Sequence, residues 1–228
     1  MADKVTLKQK AAVEALGAFL LVFIGGGAII TSSYFFPASS SQLLIVALAH
    51  GIALAIAVSI AMNISGGHIN PAVTISMLVT KRIKPGDAAV YIISQVIGAV
   101  IGAAALLAFP AQVGAMSNWG VLSVNPMVST VGAIAIEALI TFILVLAVFG
   151  TAVDKRAPKI AGFGIGLALM IDILVAGPYT GAAANPARAL GPEIATLNFA
   201  NWYVYWIGPI IGAVIAALLY EYLVIRRK

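Results

Sequence analysis

The sequence predicts an all-α membrane protein with six transmembrane helices plus two re-entrant half-helices, arranged as an inverted repeat within one transmembrane domain, residues 1–228. Three observations carry that prediction. The chain is 62% hydrophobic and 9% charged, with a mean hydropathy of +1.07, whereas a soluble domain carries about a quarter charged residues. Six apolar stretches are long enough to cross roughly 30 Å of hydrocarbon. The tripeptide Asn-Pro-Ala occurs twice, at Asn70-Pro71-Ala72 and Asn185-Pro186-Ala187.

Taken in order, span one covers about residues 11 to 31. Glu14 interrupts its apolar run, which continues without an evident cleavage site, so it reads as a span and not as a secretory signal. Span two covers about 43 to 62. An apolar stretch over 71 to 79 follows, too short to cross. Asn is a strong N-cap and Pro fits the first helical position, so the triplet reads as the start of a half-spanning helix. Span three covers about 88 to 109. The outer loop 110 to 129, with Asn118 and Trp119, has no legible fold beyond a turn at Asn125-Pro126-Met127. Span four covers 130 to 149 and span five 160 to 177. The second half-helix covers 186 to 195, and span six 202 to 225.

Basic residues collect on the cytoplasmic side of short loops. Lys4, Lys8, Lys10, Lys81, Arg82, Lys84, Lys155, Arg156, Lys159, Arg226, Arg227 and Lys228 share one side of the predicted topology, which puts both termini in the cytoplasm. Arg188 alone falls on the other. The net charge of +5 is therefore a topology signal that implies no nucleic-acid partner. With no cysteine, the chain has no disulfide and no thiolate metal site. A cell membrane is the expected location.

The two halves, approximately 1–110 and 128–228, align with each other. Glu14-Ala15-Leu16 matches Glu137-Ala138-Leu139, Ile97-Gly98-Ala99-Val100-Ile101 matches Ile211-Gly212-Ala213-Val214-Ile215, and Tyr91 stands opposite Tyr205. Each half holds three spans, so the second lies upside down relative to the first. The half-helices then enter from opposite faces and meet near the middle. Small residues at Gly98/Gly102 and Gly212/Ala216 favour close helix contact in lipid.

Non-helical backbone at membrane depth is tolerated only where protein buries it or water reaches it. Residues 63 to 70 and 178 to 185 are expected to be such backbone, with carbonyls that accept and two Asn amides that donate. Two helix N-termini converging on one point carry about half a positive charge each, which repels cations and protons. A neutral polar solute fits that lining.

The segments Ser65-Gly66-Gly67-His68-Ile69-Asn70-Pro71-Ala72-Val73-Thr74, Thr180-Gly181, Asn185-Pro186-Ala187-Arg188 and Gly191-Pro192 resemble the major intrinsic protein family, the aquaporins and aquaglyceroporins, over essentially the whole chain. The resemblance implies a right-handed six-helix bundle, assembled as a homotetramer in the lipid bilayer with one pore per subunit, that passes water and small neutral solutes passively. It implies no cofactor, no metal and no catalytic residue. Asn70 and Asn185 would orient the solute at the pore centre. His68, Gly66, Gly67, Gly181, Ala183 and Ala184 would line the pore. Glu14 and Glu137 would be structural, accepting hydrogen bonds from the re-entrant loops.

By the same resemblance the selectivity filter falls at His50, Ile173, Ala182 and Arg188. This set is most similar to the filters of plant tonoplast intrinsic proteins. Ile173 removes a polar group and Ala182 adds room, so the aperture is expected to be wide enough to leak ammonia beside water. Ala189 and the pair Tyr205-Trp206 favour the water-channel branch, while Glu193 fits neither branch. Asp172 in span five is expected to hydrogen-bond loop backbone or to balance Arg188. With Ala182 where sensitive members carry cysteine, mercurials should not block the pore. The rival readings are a glycerol or small-polyol facilitator and a proton-coupled secondary transporter using Glu14, Glu137 and Asp172. No paired carboxylates, activated nucleophile or metal-ligand cluster supports an enzyme.

Overall fold

A computed structural model describes residues 5–37, 41–158 and 160–225. Among these residues every element is helical. The long helices are α1 (Leu7–Phe35), α2 (Gln42–Ser65), α4 (Pro85–Leu106), α6 (Thr130–Val148), α7 (Ala161–Thr180) and α9 (Val204–Tyr220), and the half-helices are α3 (Pro71–Val79) and α8 (Pro186–Thr196). A short α5 (Ala111–Ala115) lies in the outer loop, and α6 and α9 each run on into a π-helical turn, Phe149–Val153 and Glu221–Ile225. Six helices are long and apolar enough to cross a membrane.

The half-helices begin as the triplets predict. Asn70 and Asn185 are extended N-caps whose side chains accept from Ala72 N and from Ala187 and Arg188 N, and Pro71 and Pro186 occupy the first turn. The re-entrant loops are shorter than expected. The α2 helix continues to Ser65 and α7 to Thr180, so residues 63–65 and 178–180 are helical. Each helix stops where a glycine turns left-handed, Gly66 at φ 94° and Gly181 at φ 80°, the usual glycine stop signal. Only 66–70 and 181–185 remain as irregular backbone.

The bundle pairs α1 with α4 and α2, α6 with α9 and α7, and α2 with α7. Half-helix α3 packs on α9, and α8 packs on α4. Each half of the chain therefore seats the other's half-helix. In lipid, helix association depends on close van der Waals contact. A Cβ at Gly98 would overlap the Ala15 carbonyl, and one at Gly212 the Ala138 carbonyl. Gly51 and Gly166 bring α2 and α7 nearly as close, each facing the other's carbonyl.

Arg82 Nη2 pairs with Glu221 Oε2 at 2.6 Å, and Arg156 Nη2 donates to Val224 O at 3.1 Å. The basic segments around 82 and 156 thus meet the end of α9 at one end of the bundle. Lys4, Lys159, Arg226, Arg227 and Lys228 lie outside the described residues. At the other end the outer loop folds down onto α7, with Asn125 N donating to Tyr179 O at 2.8 Å and Asn125 Nδ2 to Pro178 O at 3.2 Å. Asn125-Pro126-Met127 is a turn, closed by Met127 N donating to Asn125 Oδ1 at 3.0 Å.

Candidate functional site

The first re-entrant loop is held by a carboxylate. Glu14, fully buried in α1, accepts from Ser65 Oγ at 2.6 Å, His68 N at 2.9 Å, Ile69 N at 2.6 Å and Gln95 Nε2 at 2.7 Å. Glu137 in α6 does the same for the second loop, accepting from Thr180 Oγ1 at 2.7 Å, Ala183 N at 3.0 Å and Ala184 N at 2.9 Å. Both carboxylates spend their lone pairs on loop N–H and hydroxyl groups that lipid would leave unsatisfied. Neither glutamate is among the residues that line the outer or the inner cavity described below. Tyr91 and Tyr205 close the loops from outside, donating to Ser65 O at 2.9 Å and Thr180 O at 3.0 Å.

Between the loops the two asparagines cross. Asn70 Nδ2 donates to Ala184 O at 2.7 Å, and Asn185 Nδ2 donates to Ile69 O at 3.0 Å. Each amide thereby ties its half-helix to the opposite loop. An amide has two N–H groups, so one on each side chain is left for a solute.

A cavity of about 650 Å³ approaches from the outer end, lined by Val46, Leu122, Ile173 and Gly181 among others. One of about 280 Å³ approaches from the opposite end, lined by Gly66, Gly67, His68 and Arg82 among others. The His68 ring contacts Thr74 Oγ1 through Nδ1 at 3.1 Å and meets Tyr91 edge-on. It lines the inner cavity together with Gly66 and Gly67.

His50 and Arg188 form a pair. Both are buried, and Arg188 Nη2 lies 3.1 Å from His50 Nε2. His50 Nδ1 lies 2.9 Å from Val46 O, which only accepts. Nδ1 therefore carries the proton, Nε2 accepts from the guanidinium, and the ring is neutral. Arg188 Nη1 donates to Gly120 O at 3.4 Å. Ile173 lines the outer cavity. Ala182 adopts φ 51°, left-handed backbone that costs a non-glycine residue about 1–2 kcal/mol.

The expectation for Asp172 is corrected. Asp172 neither bonds loop backbone nor balances Arg188. Both of its carboxylate oxygens are buried without a hydrogen-bond partner among the described residues, as are those of Glu193. Adjacent helix positions are turned by roughly 100°. Where Ile173 faces the cavity, Asp172 faces away from it.

Sequence reasoning missed Gln95, which donates to both Glu14 and Thr74 Oγ1. A glutamine inside an apolar span was the available signal. It also missed Gly25 on α1, where a Cβ would overlap the His50 ring. Three successive glycines, Gly25 to Gly27, in mid-span were the clue, since glycine weakens a helix interior by about 1 kcal/mol.

Comparison with known proteins gives a consistent picture. The family model described as Major intrinsic protein matches residues 1–220. The chain is 44% identical over 182 residues to the probable aquaporin TIP3-2 of Oryza sativa subsp. japonica, covering 79% of this chain and 67% of that protein. It is 37% identical over 215 residues to aquaporin-4 of Mus musculus, covering 92% and 66%. The X-ray structure of the aquaglyceroporin from Plasmodium falciparum superposes with a TM-score of 0.85 at 25% identity, over 97% of this chain and 98% of that one.

Proposed function

The chain belongs to the major intrinsic protein family and is a passive water channel that crosses its membrane several times, and on that premise we propose that it also passes small neutral solutes, ammonia foremost, while refusing protons and ions. The observation that carries the reading is the filter chemistry. Of its four positions, two are the hydrogen-bonded pair His50 and Arg188, and two are the apolar Ile173 and Ala182.

Arg188 has N–H groups beyond the two it spends on His50 and Gly120, so it can donate to a passing molecule. His50 has its acceptor nitrogen occupied. The polar pair therefore donates through Arg188, while the side chains at the other two positions, Ile173 and Ala182, offer no hydrogen bond. A narrow water filter holds its substrate from two polar sides; this one relaxes that demand and admits solutes that need fewer partners.

Farther in, the solute meets the spare N–H groups of Asn70 and Asn185, flanked by loop carbonyls. The positive ends of α3 and α8 converge there. A protonated chain of waters would have to reverse its donor direction at that point, against about half a positive charge from each helix end. Hydroxide and anions gain nothing from the carbonyls on either side.

The termini are cytoplasmic, on the strength of the basic segments gathered at one end. Exposed apolar faces on the spans suit a homotetramer in the bilayer, each subunit conducting through its own pore. The two halves, about 1–110 and 128–228, act as an inverted repeat within one domain.

A second reading, a glycerol or small-polyol facilitator, is favoured by the apolar walls of the outer cavity at Val46, Leu122 and Ile173. Stopped-flow swelling of proteoliposomes with water, ammonia, urea and glycerol separates the two. Fast water and ammonia entry with slow glycerol is the expected result. Glycerol entering as fast as water favours the facilitator, and exclusion of everything but water refutes the wide filter.

A further inference from the structure

The outer loop contains a backbone anomaly that the pore lining does not explain. Asn118, Trp119 and Gly120 are successive left-handed residues, at φ 49°, 55° and 76°. Glycine tolerates this region freely, asparagine with modest cost, and tryptophan poorly. Such strain persists only where surrounding contacts over-determine it. Two contacts do so here.

The Trp119 ring lies on Gly114 so closely that a Cβ there would overlap it, and the ring adds to the apolar cluster of Ile30, Leu106 and Val113. Gly120, buried, rests against α1, where its own Cβ would stand 3.3 Å from the Gly26 Cα. The carbonyl of Gly120 then points at Arg188 Nη1, 3.4 Å away. Ring, turn, carbonyl and guanidinium form one connected chain of contacts. Its far end is the residue that donates to the solute.

We propose that Trp119 is a positioning residue for the filter: wedged on Gly114, it holds the left-handed turn that aims the Gly120 carbonyl at Arg188 and so fixes the guanidinium against His50. This rests on the reading of Arg188 as a filter residue. Releasing the wedge lets the turn relax toward ordinary backbone and withdraws the carbonyl. The guanidinium then has one fixed partner, His50, and swings over a wider arc. The aperture becomes less selective, and water flow itself changes little.

The test compares urea and water permeability in proteoliposomes for native protein, Trp119→Ala, Trp119→Phe, Gly114→Ala and Arg188→Val. Gly114→Ala displaces the ring without touching turn or filter, so it also serves if Trp119→Ala fails to reconstitute. Loss of one modest hydrogen bond corresponds to about fivefold in a rate, so Trp119→Ala and Gly114→Ala should each raise the urea-to-water ratio by about that factor, with Trp119→Phe restoring most of it. In the Arg188→Val background, removing Trp119 should add nothing. If Arg188→Val raises the ratio but Trp119→Ala and Gly114→Ala leave it native, the positioning role is overturned and the filter reading stands. If Arg188→Val itself leaves the ratio unchanged, the filter reading falls, and the wedge with it.

Discussion

The two re-entrant loops solve the same problem with different residues. Their backbones match: Gly66, Gly67 and Ile69 are left-handed in the first, and Gly181, Ala182 and Ala184 in the second. Each hangs from a buried glutamate and closes on a tyrosine. But Glu14 has four donors, one of them the span residue Gln95, whereas Glu137 has three, all from Thr180 and the loop itself. Three residues past the asparagines, the first half-helix carries Val73 and the second Arg188. The scaffold is duplicated, while the groups that meet the solute have diverged. Shape is thus set by what the loops share, and selectivity by what they do not.

Removing the carboxylates is the severest test. Either change leaves loop N–H groups unpaired in an apolar interior, a loss on the order of 3–5 kcal/mol. Thermal unfolding in detergent should show Glu14→Ala falling further than Glu137→Ala, because the first cradle satisfies one more donor. Equal losses would mean that Gln95 adds nothing to the first loop.

Exchanging small residues between the loops probes the shared backbone. Gly67→Ala places a Cβ 3.1 Å from Val58 O at φ 64° and should destabilise by about 1–3 kcal/mol. Ala182→Gly relieves the same backbone cost, offset by a looser unfolded chain, and should fall on the stabilising side by less than about 1 kcal/mol. Opposite signs in the two melting temperatures sharpen the equivalence of the loops; the same sign breaks it.

Gln95→Leu isolates the asymmetry. It removes the donors to Glu14 and Thr74, and the expected loss is about 1–2 kcal/mol in the same melting assay. Water permeability should stay near native, since Gln95 lines neither cavity.

The smallest effect lies outside the membrane. Hydrogen bonds from the Arg156 side chain and backbone hold the Asp154 carboxyl down at about 2. A carboxylate with a depressed folded pKa stabilises above its unfolded value, near 4, and loses that contribution as pH falls toward 2. The loss caused by Asp154→Asn should therefore be small and independent of pH between 5 and 8, and should shrink only below about pH 4, as a series of melting curves would show.

What could be read from the sequence was what short-range chemistry writes. Asn70-Pro71 and Asn185-Pro186 fix the starts of α3 and α8 because cap and first turn are local. Glu14 and Glu137 announced themselves as carboxylates in apolar spans. Less legible was rotational phase: Asp172 and Ile173 are neighbours in the chain but face different ways. The contacts of Gly25 with His50, and of Trp119 with Gly114, join residues that no local pattern links. The loops are shorter than the sequence suggests because α2 continues through the polar Asn63, and α7 through Pro178, until Gly66 and Gly181 stop them.

The crosswise seating of the half-helices has a consequence in time. When α3 leaves the ribosome, the helix it packs against, α9, has not been made, and at about 5–20 residues per second it arrives on the order of ten seconds later. The α8 helix suffers no such delay, since α4 already exists. The first loop can wait because Glu14, Ser65 and Gln95 all belong to the portion already synthesised. A nascent chain stalled before Val204 should therefore expose a cysteine placed on the α9-facing side of α3 to a water-soluble thiol reagent, and the finished chain should shield it. The stronger cradle stands on the side of the molecule that has to hold its shape unaided.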